Sequence, residues 1–455
     1  MRFTPSTLLL VAAAATVRAQ VQTEETQSAI EGAPPAPSPA DPLTRPPLDP
    51  EAECKPYGFQ PVANAIPSFP KIAANVTAIL PNDAAAKAKF ASFSAQIPNI
   101  APRGTFSGDI TGVQYDRAAD PDCWWTSTQC VKPKLAGLKP DIVIVPEPRA
   151  LGYGFDDGPF CGHNRFYNYL ESKNQKATMF YIGTNVMNFP LEAQRAVADG
   201  HEICVHTWSH ASLVAATNEG AFAELWYTMQ AIKLVTGVTP TCWRPPKGDV
   251  DDRIRFIAQS LGLDTIMWGF DTFDWEVGMN SVTPQSVQGN YDTLVTKAGS
   301  GAFNSQGAIL LMHELNNYTM QVAIDNYPKL ASAFDHILPV GVAYNKTTPY
   351  AETTIKQQSF SECACFFLAF SLPSALLPFF HCLSHLLPLA GLLCSLSAPS
   401  LSLYSSPPAM PPVLSAAGWL VRGHDLLSSW LLITLCPLLS HLPRPYPVPS
   451  SICRY

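Results

Sequence analysis

Between Pro140 and Tyr344, short unbroken apolar runs alternate with segments whose apolar residues recur every three or four positions. Residues 141–145 are mostly β-branched and predict a strand. Residues 165–173, with Asn164 ahead of them as a cap, predict a helix. Residues 176–182 are apolar and strand-like, and 190–199 open with proline and stop at Gly200, as a helix does. Residues 201–206 make the next strand. Ala221, Phe222, Leu225, Met229 and Ile232 mark one face of a helix that Gly237 ends. The alternation continues with a helix over 251–261, a strand over 264–270, a helix over 285–298, a buried strand over 308–312, a helix over 320–334 and a last strand over 337–343. Strands and helices taking turns imply parallel strands covered by helices. About seven such units fit an α/β fold of the distorted (β/α) barrel type better than an open sheet, and there reactive groups sit where strands end and loops begin.

The pattern dissolves outside this block, which sets a domain over residues 140–350 between non-globular ends. Met1 and Arg2 precede the apolar run Leu8–Ala15 and the small residues before Gln20, so residues 1–19 read as a secretory signal peptide. Residues 20–53 are rich in Pro, Ala and Glu and read as an extended linker. Residues 54–139 form an N-terminal extension without a chemical motif. In the tail, 361–455, no Asp, Glu, Lys or Arg occurs from Cys363 to Val421, and Pro373, Pro378 and Pro388 interrupt the apolar runs. The preferred reading is mistranslated non-coding sequence; the competing one is a membrane anchor.

Composition then narrows the partners. A net charge of −7 over 455 residues offers no basic footprint for nucleic acid. Export makes disulfides plausible for Cys54, Cys123, Cys130, Cys161, Cys204 and Cys242; of the fifteen pairings, only Cys123 with Cys130 is favoured, as a local closure. Asn75, Asn317 and Asn345 begin Asn-X-Thr triplets, so they are candidate glycosylation sites.

Five segments carry the candidate chemistry. Phe155-Asp156-Asp157-Gly158-Pro159 puts two carboxylates in a turn, where both can face one pocket. His206 and His210 lie four apart at a strand end and share a face if the segment turns helically. Two His plus one Asp, with room for water, is a catalytic rather than a structural zinc arrangement. Arg244-Pro245-Pro246-Lys247-Gly248-Asp249 is a stiff loop with a guanidinium suited to gripping a carboxylate. Asp271-Thr272-Phe273-Asp274-Trp275 and Leu310-Leu311-Met312-His313-Glu314 each bring polar groups out of an apolar strand.

These five segments, in this order, resemble the motif set of the NodB-type polysaccharide deacetylases, carbohydrate esterase family four, and among them the secreted fungal chitin deacetylases. The resemblance covers residues 140–344. It implies Asp156 as catalytic base, held by Arg244, and Asp157, His206 and His210 as ligands of a divalent metal, zinc or alternatively cobalt. It implies His313 as general acid oriented by Asp274, an oxyanion site around Lys247, and Trp275 and Leu311 lining the acetyl-sugar pocket. The sequence departs from the pattern twice: Gly154 stands where a hydroxyl residue is usual, and Lys247 where an aromatic is usual. The implied protein is a secreted or wall-located enzyme, membrane-anchored if the tail is real, acting as a monomer on chitin or another N-acetylglucosamine polymer. The rival readings are a silent wall protein that grips chitin with Trp208 and Trp275, and a deacetylase of a different acetylated polysaccharide.

Overall fold

The computed structural model describes residues 53–361; the expected signal peptide, nearly all of the linker and nearly all of the tail lie outside the described residues. Among the described residues eight strands form one parallel sheet: β1 (Ala150–Asp156), β2 (Thr178–Tyr181), β3 (Glu202–Val205), β4 (Cys242–Trp243), β5 (Asp264–Thr265), β6 (Phe270–Asp271), β7 (Ala308–His313) and β8 (His336–Leu338). Seven follow the path β5-β4-β3-β2-β1-β7-β6, and β8 pairs with β1. β5 and β6 stand at opposite ends of that path, yet only residues 266–269 separate them. The sheet must therefore curl until its edges meet. Among the described residues no ladder joins β5 to β6: Ile142 makes a single parallel bridge to Ile266 beside β5, and the Gly269 N–H extends the β6–β7 pairing by donating to the Ile309 carbonyl at 3.1 Å. The distortion lies at β1, whose upper half pairs with β2 and whose lower half pairs with β8.

Three expected strands and one helix start differ. Residues 141–145 are a single bridge rather than a strand; Pro140 and Pro146 flank them and limit pairing. The central strand is instead β1, in which Gly152 and Gly154 weaken the strand signal. The strand expected over 264–270 is split between β5 and β6, and the one over 337–343 ends at Leu338, before Pro339 starts the short helix Val340–Ala343. Asn164 is the first residue of its helix, Asn164–Ser172, not the cap.

Side chains alternate across the strands. Leu151, Tyr153, Phe155, Met179, Ile203, Leu310 and Met312 join the core beneath the helices. Phe180, Cys204, Cys242, Ile266, Ile309 and Leu338 fill the barrel interior. That interior is narrow: a Cβ on Gly154 would lie 2.9 Å from the Thr178 carbonyl oxygen and 3.2 Å from the Phe180 ring. Glycine at 154 thus fits a space closed by the Thr178 carbonyl and the Phe180 ring. Cys204 and Cys242 form a disulfide across β3 and β4.

The extension, 54–139, packs against the barrel. Cys54 is bonded to Cys161, and Cys123 to Cys130, the local closure expected. Buried Arg255 holds Asp141 and the carbonyls of Cys123 and Cys130. Glu224, on the long helix Asn218–Thr236, accepts from the Val76 N–H at 2.7 Å.

Candidate active site

Inward alternation carries four polar side chains to the C-terminal rim: Asp156 ends β1, His206 follows β3, Arg244 follows β4 and His313 ends β7. The register pairs Asp156 with His313. Arg244 is fully buried, its guanidinium 3.9 Å from the centroid of the Phe180 ring, and it donates to Asp156 Oδ1 at 2.7 Å. It also reaches the carbonyls of Ile266 and Met267, which fixes the fork at the barrel's closure.

Asp157 lies just beyond the strand with φ +74°, an uncommon conformation for a non-glycine residue that turns its carboxylate back over the rim. Both carboxylates thereby approach one imidazole: His206 Nε2 is 3.7 Å from Asp156 Oδ2 and 3.4 Å from Asp157 Oδ1. His210 Nε2 is 3.3 Å from the same Asp157 oxygen. His206 Nδ1 bonds the Arg244 carbonyl at 2.8 Å, which leaves Nε2 free to act as a ligand. The two His do not share a helical face. Residues 206–210 form a bend, with Thr207 and His210 left-handed at φ +64° and +59°. Buried Glu224 holds that bend by accepting from the N–H groups of Trp208 and Ser209, each at 2.9 Å.

The triad suits a small divalent ion. Asp157 Oδ1 is buried and accepts no hydrogen bond, and the donors are two imidazoles and a carboxylate within 4.8 Å of one another. Ligands about 2.1 Å from a tetrahedral ion stand roughly 3.4 Å apart. Burial opposes ionisation of Asp157, but His210 and His206 outweigh it and hold the carboxyl below its usual range. Burial pushes His210 down to about 4 against the pull of Asp157, so its imidazole is neutral and able to coordinate at neutral pH. Two other His/Cys/Asp/Glu groupings among the described residues include cysteines already bonded to each other.

Opposite the triad, His313 Nδ1 bonds Asp274 Oδ1 at 2.7 Å, and Asp274 Oδ2 accepts from the His313 N–H at 3.1 Å. Burial disfavours the charged imidazole, yet Asp274, with Asp157 and Asp156 beyond it, lifts His313 to about 9. Trp275 is 36 % exposed, its ring 6.4 Å from that of His313. Leu311, one inward position below His313 on β7, is buried. Lys247 is left-handed at φ +58°, and its ammonium donates to the His210 carbonyl at 3.1 Å. Gly248 beside it is obligatory, because a Cβ there would sit 2.3 Å from the Trp125 ring.

Trp208 does not serve as a sugar platform. It is fully buried, stacks on Phe69 at 5.8 Å and donates to the Lys71 carbonyl. Asn75, Asn317 and Asn345 are exposed; Asn75 Oδ1 accepts from the Ser209 hydroxyl, so that triplet borders the bend at 206–210. Two buried acids beside the site escaped the sequence reading. Glu224 signals itself as a charge on the apolar face between Ala221 and Leu225, and Glu314 stands within the segment quoted for His313.

A parallel barrel with an Arg-held carboxylate, an Asp-held imidazole and a His-His-Asp triad converging on its rim suits hydrolytic chemistry. The polysaccharide deacetylase family profile matches residues 145–266, a span that ends before Asp274 and His313. The chain is 52 % identical over 318 residues to chitin deacetylase 2 of Cryptococcus neoformans var. grubii, covering 69 % of each chain. It is 46 % identical over 256 residues to the chitin deacetylase of Amylomyces rouxii, covering 56 % of this chain and 60 % of that one. The chitin deacetylase structure from Colletotrichum lindemuthianum aligns at 21 % identity and TM-score 0.42, over 46 % of this chain and 92 % of that one. The chain belongs to the polysaccharide deacetylase family.

Proposed function

We propose that this protein removes N-acetyl groups from the N-acetylglucosamine units of chitin, releasing acetate and leaving glucosamine. The observation that carries this reading is the facing of Asp156, gripped by Arg244, and His313, gripped by Asp274, across a His-His-Asp triad. The identity to fungal chitin deacetylases supports chitin as the polymer. Asp157, His206 and His210 would hold a divalent cation, zinc or cobalt. When bound, such an ion supplies Lewis acidity to the acetyl carbonyl and to water.

The chain's own groups do the proton work. Asp156 takes a proton from the attacking water as the new C–O bond forms, and Arg244 holds this carboxylate in place through the bond to its Oδ1. The turn at Lys247 contributes backbone N–H to the oxyanion. Asp274 stabilises the charged imidazole of His313, which gives its Nε2 proton to the departing nitrogen as the C–N bond breaks. An amine expelled without that proton would be too poor a leaving group. Trp275 and Leu311 line the acetyl-sugar pocket. Deacetylation makes a neutral polymer cationic, which fits a secreted or cell-wall enzyme carrying N-glycans at Asn75, Asn317 and Asn345.

The decisive assay is acetate release from N-acetylglucosamine oligomers. Release that a chelator abolishes and added zinc or cobalt restores is expected. No release under any metal condition would leave a binding protein instead.

A further inference from the structure

Glu314 takes no part in the proton transfers above, yet its buried carboxylate is held by three partners beside them. It directly follows His313 and is 1 % exposed. Its Oε1 accepts from the Phe160 N–H at 2.9 Å and bonds His163 Nδ1 at 2.8 Å. Its Oε2 accepts from the Tyr167 hydroxyl at 2.8 Å. Its own N–H donates to the Asp156 carbonyl at 2.8 Å. Phe160 and His163 belong to the loop that leaves Asp156 and Asp157, and a Cβ on Gly158 in that loop would sit 2.5 Å from Oε2. The loop therefore runs against this carboxylate as closely as glycine allows.

The network reaches a third part of the rim. The Tyr167 hydroxyl bonds that of Tyr181 at 2.7 Å, and the Tyr181 carbonyl accepts from the His206 N–H at 2.9 Å. The residue after the acid thus holds the loop after the base, and through two tyrosines it touches the strand beside the first His. A carboxylate this buried is tolerated only when its oxygens are bonded. Its partners here all lie on elements whose neighbours do the chemistry.

We propose that Glu314 is a positioning residue that fixes the separation between His313 and the Asp156–Asp157 pair. This rests on the reading of Asp156, Asp157 and His313 as base, ligand and acid. Displacement of reacting groups by about 1 Å costs on the order of 100-fold in rate, so loosening this network acts on kcat before it acts on substrate affinity.

The test compares full-length Glu314→Gln and Tyr167→Phe with the parent chain, measuring kcat and KM on an N-acetylglucosamine oligomer, cobalt(II) affinity by competition with a chelating dye, and thermal midpoint. Glu314→Gln is expected to lower kcat roughly 10- to 100-fold with KM within about twofold, and to weaken cobalt binding several-fold through Asp157. Tyr167→Phe removes the hydroxyl that joins Glu314 to Tyr181, two hydrogen bonds, without a charge change, so a smaller kcat loss of the same kind is expected, and it decides the matter if Glu314→Gln does not fold. Unchanged kcat and cobalt affinity overturn the proposal, as does a kcat loss no larger than the loss of folded protein. Turnover that survives Asp156→Asn and His313→Ala sinks the underlying reading instead, whatever the Glu314 variants do.

Discussion

His313 shows how one buried neighbour sets a residue's working range. With Asp274 beside it, the imidazole keeps its proton up to about 9. A group whose folded pKa is raised stabilises the fold fully below its unfolded value, near 6.5, and that contribution is lost as pH rises through the folded value. Asp274→Asn removes the charge that opposes burial. In the pH profile of kcat/KM, the alkaline limb of this variant is expected to move down by at least about one pH unit, with the acid limb in place. An unmoved alkaline limb would show that His313 is not the acid being read. The candidate site residues stood out in the sequence because their chemistry is local: paired carboxylates, a His pair, a His after an apolar strand. Glu314 and Glu224 did not, since their value lies in N–H groups of Phe160, Val76 and Trp208, which no spacing reveals.

Among the elements, β1 is the instructive one. Its inward positions descend from Asp156 through Gly154 and Gly152 because Phe180, Ile309 and Val340 crowd the space beneath. The same glycines concealed the strand, while the β-branched run at 141–145 drew the eye to a segment that makes one bridge. Strand propensity measures fit to a half-buried pleat, and a barrel's interior imposes a different demand. Restoring a hydroxyl residue with Gly154→Thr is expected to destabilise the protein by about 1–3 kcal/mol through overpacking, read as a lowered thermal midpoint. Trimming Phe180 to Leu in the same chain should recover part of that loss. The longer helices were legible in extent because their caps are local. Thr217 and Asp251 accept from their own first turns, and Gly237 ends its helix left-handed at φ +80°.

For the whole molecule, the barrel's alternation was readable but its integration with residues 54–139 was not. That extension contributes carbonyls and N–H groups rather than motifs, and it uses them on partners more than a hundred positions away. Deleting it would leave the Arg255 guanidinium without the Cys123 and Cys130 carbonyls and Glu224 without Val76. Unmet buried polar groups cost about 1–3 kcal/mol each. A chain lacking residues 54–139 is therefore expected to be insoluble or unfolded by circular dichroism; a soluble, active remainder would show the extension to be an ornament.

The Cys204–Cys242 bond sits one inward step beneath His206 on β3 and one beneath Arg244 on β4. It is a covalent strut under the two side chains that approach the two carboxylate oxygens of Asp156. Material produced in a thiol-rich cytosol would carry two sulfhydryls there, and its hydrolytic competence would become a matter of oxidation history. Preparations that look alike by mass and shape would then differ in specific activity, and free-thiol titration would sort them.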